Sequence, residues 1–77
     1  MDNNKDNQEL HVGKMIEAYL NENRIPKVKF AELISCSRGN VYNILGSPSI
    51  NTQMLQHICN ALQHDFFSDI SKKYIKV

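Results

Sequence analysis

The stretch Lys29–Leu45, KFAELISCSRGNVYNIL, holds two short apolar patterns with a polar turn between them. Apolar residues recur three and four positions apart in each pattern, which predicts two short helices rather than strands. The expected buried positions are Phe30, Ala31, Leu33 and Ile34 in the first helix and Val41, Ile44 and Leu45 in the second. Because so few residues connect the helices, they must cross steeply, and we expect Ala31 to face Val41 at the crossing.

The turn between these two helices has the sequence SCS, residues 35–37. Such turns commonly contain glycine, because one residue takes left-handed backbone angles. Ser35 stands at that position, so we expect an adjusted turn. Ser37 is expected to cap the second helix, since its side-chain oxygen can accept a hydrogen bond from a free backbone N–H. Gly46, followed by Ser47 and Pro48, marks the end of that helix.

The upstream segment predicts one more helix. Residues 1–9 are polar and read as a flexible tail. From about Gln8 an amphipathic pattern runs to residues 21–24, and Pro26 then suits the first turn of the next helix. The apolar positions of the upstream helix are Val12, Met15, Ile16, Tyr19 and Leu20.

The downstream segment predicts two further helices. Asn51 or Thr52 can cap the first of them, and His64 with Asp65 marks a bend before the second. Their apolar positions are Leu55, Ile58, Cys59 and Leu62, then Phe66, Phe67, Ile70 and Tyr74. The aromatic residues Tyr19, Phe30, Phe66 and Phe67 are expected in the core; at most, Phe66, Phe67 and Tyr74 would help a dimer contact. The fold class is therefore all-α, with about five short helices in one domain at residues 10–72.

Charge is unevenly distributed along a nearly neutral chain of net charge +1. Residues 26–46 carry Lys27, Lys29 and Arg38 against a single acidic residue, Glu32. A local excess of positive charge favours phosphate binding more than the total does. Lysines are also frequent in a basic C-terminal tail at residues 73–77 and just before it, where a solvated tail is the simpler interpretation.

Length and composition exclude several classes of protein. A 77-residue chain of globular composition forms one small domain with little room for an enclosed cleft. Two cysteines, Cys36 and Cys59, are too few for a disulfide framework and are expected to be buried reduced thiols. No apolar run has the length of a membrane span and no signal peptide opens the chain, so we expect a cytoplasmic protein without a membrane partner.

Catalytic and metal-binding patterns are not expected. His57, Cys59 and His64 match no zinc spacing, and Cys59 faces the predicted core while His57 faces outward, so the three side chains would not converge on one ion. No nucleophile, base and oxyanion donors form a recognisable set, and Asp65 or Glu32 near a histidine is a chance pairing in so short a chain. We therefore expect no enzyme and no cofactor.

The stretch KFAELISCSRGNVYNIL resembles the helix-turn-helix of the Cro/C1-type repressor family, also called the XRE family. FAELI stands at the family's LA core pair, and SRGNVYNIL stands at its serine-capped recognition helix. HVGKMIEAYL resembles its first helix, and SINTQMLQHICNALQHDFF resembles its fourth helix with the L..I..AL pattern. The match covers about residues 11–70 and is nearest to small single-domain members from Bacteroides-like bacteria, which share NVY and DFF. The resemblance implies a lambda-repressor-like domain.

The resemblance also implies roles for individual residues. In this family the second helix of the pair enters the DNA major groove, where arginine pairs with guanine and asparagine with adenine. Tyr42 would contact a thymine methyl group or a phosphate. The implied base-reading residues are Arg38, Gly39, Asn40, Tyr42 and Asn43, and the implied phosphate-binding residues are Lys27, Lys29, Ser37 and Ser47.

Three departures from the family pattern affect these roles. Ser35 replaces the usual turn glycine. Gly39 replaces a polar residue, which removes one base contact and costs the helix up to ~1 kcal/mol relative to alanine. Gly39 either lets the backbone approach DNA closely or is simply tolerated near a helix start. The loop GSPS after the second helix is short and uncharged.

Two functions of different classes follow. The first is a sequence-specific transcriptional regulator of repressor type, expected to bind double-stranded DNA as a homodimer or as paired monomers and to have no small-molecule effector domain in this chain. The second is a protein-interaction module on the same fold, such as an antitoxin-like or anti-repressor-like partner. Salt distinguishes them, because neutralised phosphates release counterions and DNA affinity therefore falls steeply with salt.

Overall fold

The computed structural model describes residues 9–76, and within that range the chain is all-helical with no β-strand. The predicted all-α fold of five short helices is confirmed. Residues 1–8 and Val77 lie outside the described residues, and with them most of the predicted N-terminal tail. The helices are α1 Val12–Glu22, α2 Lys27–Ile34, α3 Arg38–Leu45, α4 Thr52–Leu62 and α5 Phe66–Tyr74.

One hydrophobic core joins all five helices. The helices α1 to α4 each contribute three buried side chains at helical spacing, and α5 contributes Phe66. A fully buried Val, Leu, Ile or Phe side chain stabilises the fold by about 1.5–3 kcal/mol relative to an exposed one. The core residues are Val12, Ile16, Leu20, Phe30, Ala31, Ile34, Val41, Ile44, Leu45, Leu55, Ile58, Leu62 and Phe66. The helix α3 packs on α1 and α2, and α4 packs on α2, which gives α2 and α3 a helix-turn-helix-like arrangement.

Side-chain caps determine where four of the helices begin. His11, Ser37, Asn51 and Asp65 each accept a hydrogen bond from the backbone N–H three residues later, at 2.8–3.2 Å. Asn51, and not Thr52, therefore caps α4. Because His11 is the cap, α1 begins at Val12 and not near Gln8.

Pro26 and the C-terminal boundary each differ slightly from prediction. The sequence predicts Pro26 in the first turn of α2, whereas Pro26 is the N-cap, one residue before that turn. The helix α5 continues to Tyr74, so residues 73 and 74 belong to the folded domain and not to the basic tail. Among residues 9–76, none of the helices has both the length and the apolarity needed to cross a bilayer.

Two residues predicted to be buried are exposed. Leu33 is 39% exposed because Phe30, Ala31 and Ile34 already fill the core-facing side of α2. Phe67 is 40% exposed because its neighbour Phe66 occupies the core, and consecutive residues of a helix point about 100° apart. The predicted core position is therefore wrong for both. Since Phe66 is only 1% exposed, its predicted contribution to a dimer contact is also wrong.

Candidate nucleic-acid interface

The turn before α3 uses a left-handed residue without glycine. Ser35 has φ 56° and ψ 48°, and its N–H donates to the carbonyl oxygen of Glu32 at 3.2 Å. The N–H of Cys36 donates to the carbonyl oxygen of Ala31 at 2.9 Å. Ser35 thus adopts the angles that glycine usually takes, and the adjusted turn expected from the sequence is not present. A non-glycine residue in this conformation costs about 1–2 kcal/mol.

The far end of α3 is held by the first turn of α1. The N–H groups of Val12 and Gly13 donate to the carbonyl oxygens of Pro48 and Ser47, at 3.0 and 2.9 Å. The first N–H groups of a helix have no partner within it, so these bonds satisfy donors that would otherwise be free. A Cβ atom on Gly13 would lie 2.3 Å from the carbonyl oxygen of Leu45. The approach therefore requires glycine.

A histidine of α4 supports the turn from the other side. The His57 Nε2 atom lies 3.1 Å from the carbonyl oxygen of Ile34, the last residue of α2. A carbonyl oxygen only accepts, so this hydrogen bond requires the proton on Nε2. Neither His57 nor Gly13 has a functional role that the sequence pattern predicts. A glycine in the first turn of an amphipathic helix was the only available signal for Gly13, and His57 gave none.

All five predicted base-reading residues lie on the solvent-exposed part of α3. The inward residues Val41, Ile44 and Leu45 are buried, whereas Tyr42 is 58% exposed. Within residues 9–76, Asn40 is the member of the set whose side chain has a partner, since its Nδ2 atom lies 3.2 Å from the Cys36 sulfur. The exposed set is Arg38, Gly39, Asn40, Tyr42 and Asn43.

Gly39 has no internal steric reason to be glycine. A Cβ atom built on Gly39 meets nothing within 4 Å, and its φ is not positive. Gly13, in contrast, is required by the backbone of α3. Within the described residues, neither packing nor backbone conformation explains why Gly39 lacks a side chain.

The predicted phosphate-binding residues differ in how freely they could bind a phosphate. Lys29 is exposed. The Lys27 Nζ atom lies 3.4 Å from a Glu17 carboxylate oxygen, and both side chains are more than a third exposed. Such a surface pair contributes about 0–1 kcal/mol, so Lys27 could exchange it for a phosphate at little cost.

The two serines of the predicted phosphate set already have hydrogen-bonding roles. The Ser37 oxygen accepts from the N–H of Asn40 at 3.2 Å, and its own hydroxyl proton remains able to donate. The Ser47 hydroxyl donates to the carbonyl oxygen of Ser49 at 2.8 Å. Ser47 would have to give up that bond to donate to a phosphate, so it is the weaker candidate of the two.

The other titratable side chains named in the sequence analysis have separate partners. His64 stacks on Tyr19 at 4.4 Å between ring centroids, and its Nε2 atom lies 2.6 Å from an Asp69 carboxylate oxygen. The Cys59 sulfur accepts from the N–H of Phe66 at 3.4 Å. Cys59 and Cys36 are free thiols. Both are half-buried, whereas the sequence predicted that they would be fully buried.

Comparison with known proteins assigns no family or function to this chain. A scan against protein-family models gave no match for the chain, and neither the curated proteins nor the solved structures gave one. The likeness to Cro/C1-type repressors therefore rests on the residues of the chain itself, and what it implies about function is a proposal.

Proposed function

We propose that this protein is a sequence-specific DNA-binding transcriptional regulator of repressor type, with α3 as its recognition helix. The observation that carries the proposal is the exposed face of α3. It presents arginine, asparagine and tyrosine side chains together. The loop after α3 is hydrogen-bonded to α1, and the turn before α3 follows the end of α2, where His57 of α4 bonds to Ile34. A rigid helix with exposed polar side chains suits direct reading of base edges in a major groove.

The chemistry of the face matches DNA in two respects. Arg38 can donate two parallel hydrogen bonds to guanine, and Asn43 can donate to and accept from adenine. Lys27 and Lys29, at the start of α2, supply positive charge for the phosphate backbone. Base contacts would then provide the sequence preference, while lysine contacts would position the domain on the duplex.

Gly39 adds support because its missing side chain has no internal explanation. Glycine in a helix costs up to ~1 kcal/mol relative to alanine. A surface that must come into close contact with another molecule explains that cost, since the absent Cβ lets the partner approach the backbone. Of the alternatives that the sequence left open, we favour close approach over simple tolerance.

A protein-interaction module is the second candidate, favoured by exposed apolar side chains on the same two helices. Val28, Leu33 and Tyr42 are 48%, 39% and 58% exposed. A protein partner could cover these side chains, whereas DNA would leave much of their surface in contact with water. Binding through such a patch would depend little on salt.

The testing experiment is selection of bound sequences from a random duplex library at two salt concentrations. We expect an enriched two-fold motif with half-sites about one DNA turn apart, and weaker binding at higher salt. Arg38→Ala should weaken binding to the selected site by ~1–3 kcal/mol and blur the preference at one base pair. Lys14→Ala, which removes an exposed charge on α1, is the matched control.

Two outcomes would contradict parts of the proposal. If well-folded protein enriches no sequence, the regulator is rejected and the protein-interaction module becomes the working function. If Arg38→Ala weakens selected and random DNA equally, Arg38 contacts phosphate and does not read a base.

A further inference from the structure

Asn40 is held by the turn that precedes α3. Its Nδ2 atom donates to the Cys36 sulfur at 3.2 Å, and its backbone N–H donates to the Ser37 side-chain oxygen at 3.2 Å. The backbone and the side-chain amide of Asn40 are therefore both tied to the same turn. Within the part of the chain that the structure describes, the other exposed side chains of the base-reading set have no such hydrogen bond.

Cys36 is itself fixed in place, which makes it a firm support for this contact. Its N–H donates to the carbonyl oxygen of Ala31 at 2.9 Å, and its half-buried side chain packs against the hydrophobic core. A thiol sulfur is only a weak hydrogen-bond acceptor, so the contact with Asn40 adds little to stability. Its main consequence is the direction in which the Asn40 amide points.

The contact with Cys36 leaves one donor and one acceptor of the Asn40 amide free. A side-chain amide has two N–H donors and one carbonyl oxygen. One N–H is directed to the sulfur, so the second N–H and the Oδ1 atom remain on an exposed side chain. A donor beside an acceptor matches the N7 atom and the N6 amino group of adenine in the major groove, whereas guanine presents two acceptors there.

An amide that is held before binding discriminates bases better than a free one. An exposed side chain loses rotamer freedom when it binds, and that loss weakens binding. Asn43 on the same helix bears the whole of this cost, whereas Asn40 is partly ordered by Cys36 before DNA arrives. A free amide can also turn over to offer both donors to guanine. The sulfur contact opposes that rotation, because the oxygen would then replace the N–H beside the sulfur.

We infer that Cys36 is a positioning residue for base reading, and that it holds the Asn40 amide in the orientation that selects one adenine of the binding site. The inference rests on the proposed function and deepens it, because it names the base that Asn40 reads and the residue that makes the reading selective. Cys36 acts through Asn40 and needs no contact of its own with DNA.

Two substitutions of Cys36 separate positioning from packing. Cys36→Val keeps an apolar side chain against the core but removes the acceptor, whereas Cys36→Ser keeps an acceptor but loses apolar surface. In selection from a random duplex library, Cys36→Val should lose the preference for adenine at one position, and Cys36→Ser should keep it.

The affinity of Cys36→Val for the wild-type site should fall about two- to tenfold, the cost of ordering one freed side chain. Cys59→Val removes the other half-buried thiol and is the matched control, which should keep the wild-type base preference. If packing were the only role of Cys36, Cys36→Val would read DNA as the wild-type protein does, and that result would overturn the inference.

A double variant assigns the effect to Asn40. Asn40→Ala should lose the same adenine preference as Cys36→Val, and combining the two substitutions should cause no further loss of that preference. Replacing the selected adenine by 7-deazaadenine, which lacks the N7 acceptor, should weaken binding of the wild-type protein and leave Asn40→Ala unaffected. A further loss of base preference in the double variant would contradict a role of Cys36 through Asn40.

The free protein provides a measurement that does not involve DNA. NMR relaxation of the side-chain amide groups should show Asn40 as more rigid than Asn43 in the wild-type protein and in Cys36→Ser. In Cys36→Val the two amides should be equally mobile. An Asn40 amide that is as mobile as Asn43 in the wild-type protein would overturn the inference.

Failure of this inference differs from failure of the proposed function. If a sequence is enriched and Cys36→Val keeps the wild-type preference, the positioning role is rejected and the regulator stands. If the Asn40 amide is rigid but well-folded protein enriches no sequence, the regulator is rejected, and base reading by Asn40 is rejected with it.

Discussion

The turn between α2 and α3 and the turn between α4 and α5 share one backbone design. Ser35 and Gln63 are both left-handed, with φ of 56° and 55°. In each case the next N–H donates to a carbonyl oxygen five residues earlier, at 2.9 and 3.0 Å, and the residue after that caps the following helix. The two following helices differ: α3 begins with exposed Arg38, whereas α5 begins with Phe66, which is 1% exposed.

In both turns the backbone sets where one helix stops and the next begins, while the side chains set which part of the new helix is buried. Both turns stop one helix and start another within three residues, and both do so without glycine. Whether the new helix presents its first turn or buries it depends on the side chains that follow the cap. Polar side chains after Ser37 leave the first turn of α3 to solvent, while the aromatic ring after Asp65 fixes α5 to the core.

The largest expected difference in stability is between alanine variants of the two residues that directly follow the caps, Phe66 and Arg38. Phe66→Ala should lower the free energy of unfolding by about 3–5 kcal/mol, because it leaves a cavity in the core of a small domain. Arg38→Ala at the equivalent position should change it by less than about 0.5 kcal/mol. Urea unfolding of both variants measures the difference. Similar losses in the two variants would mean that the first turn of α3 is also packed.

A second effect contrasts Gly13 of α1, which packs on the end of α3, with Gly39 in the first turn of α3. Gly13→Ala should destabilise the fold by about 3 kcal/mol, since the added methyl would collide with the carbonyl oxygen of Leu45. Gly39→Ala should stabilise it by about 0.4–1 kcal/mol, because the new side chain meets open space.

The same Gly39→Ala variant should bind its DNA site several-fold more weakly, although it is more stable. Thermal unfolding and a binding titration on one preparation would measure both effects. Unchanged DNA affinity would remove close backbone approach as the reason for this glycine, and an unchanged melting temperature for Gly13→Ala would contradict the contact between α1 and the end of α3.

The smallest effect tests whether the two turns are equivalent. Ser35→Gly and Gln63→Gly should each raise the free energy of unfolding by about 1 kcal/mol, because glycine takes left-handed angles without steric cost. Ser68→Gly, inside α5, should lower it by a similar amount and is the control. A gain at only one turn, measured by urea unfolding, would show that the other turn depends on its side chain.

The sequence by itself determined the local structure of this protein. Helical spacing of apolar residues predicted five helices, Ser37 was identified as one cap, and the cap of α4 was narrowed to Asn51 or Thr52, because spacing and capping act within one or two turns. The exposed set on α3 also followed, since burying Val41, Ile44 and Leu45 leaves the remaining residues of that helix to solvent.

Only the tertiary structure decided which apolar residues stay outside and which distant groups meet. Leu33 and Phe67 have the composition of core residues, yet neighbouring side chains had already filled the available core. Gly13 and His57 meet groups far away in sequence: the backbone of Leu45 leaves no room for a side chain at Gly13, and His57 bonds to the carbonyl oxygen of Ile34. No local pattern encodes such contacts, because they exist only once α1 and α4 have packed against the α2–α3 pair.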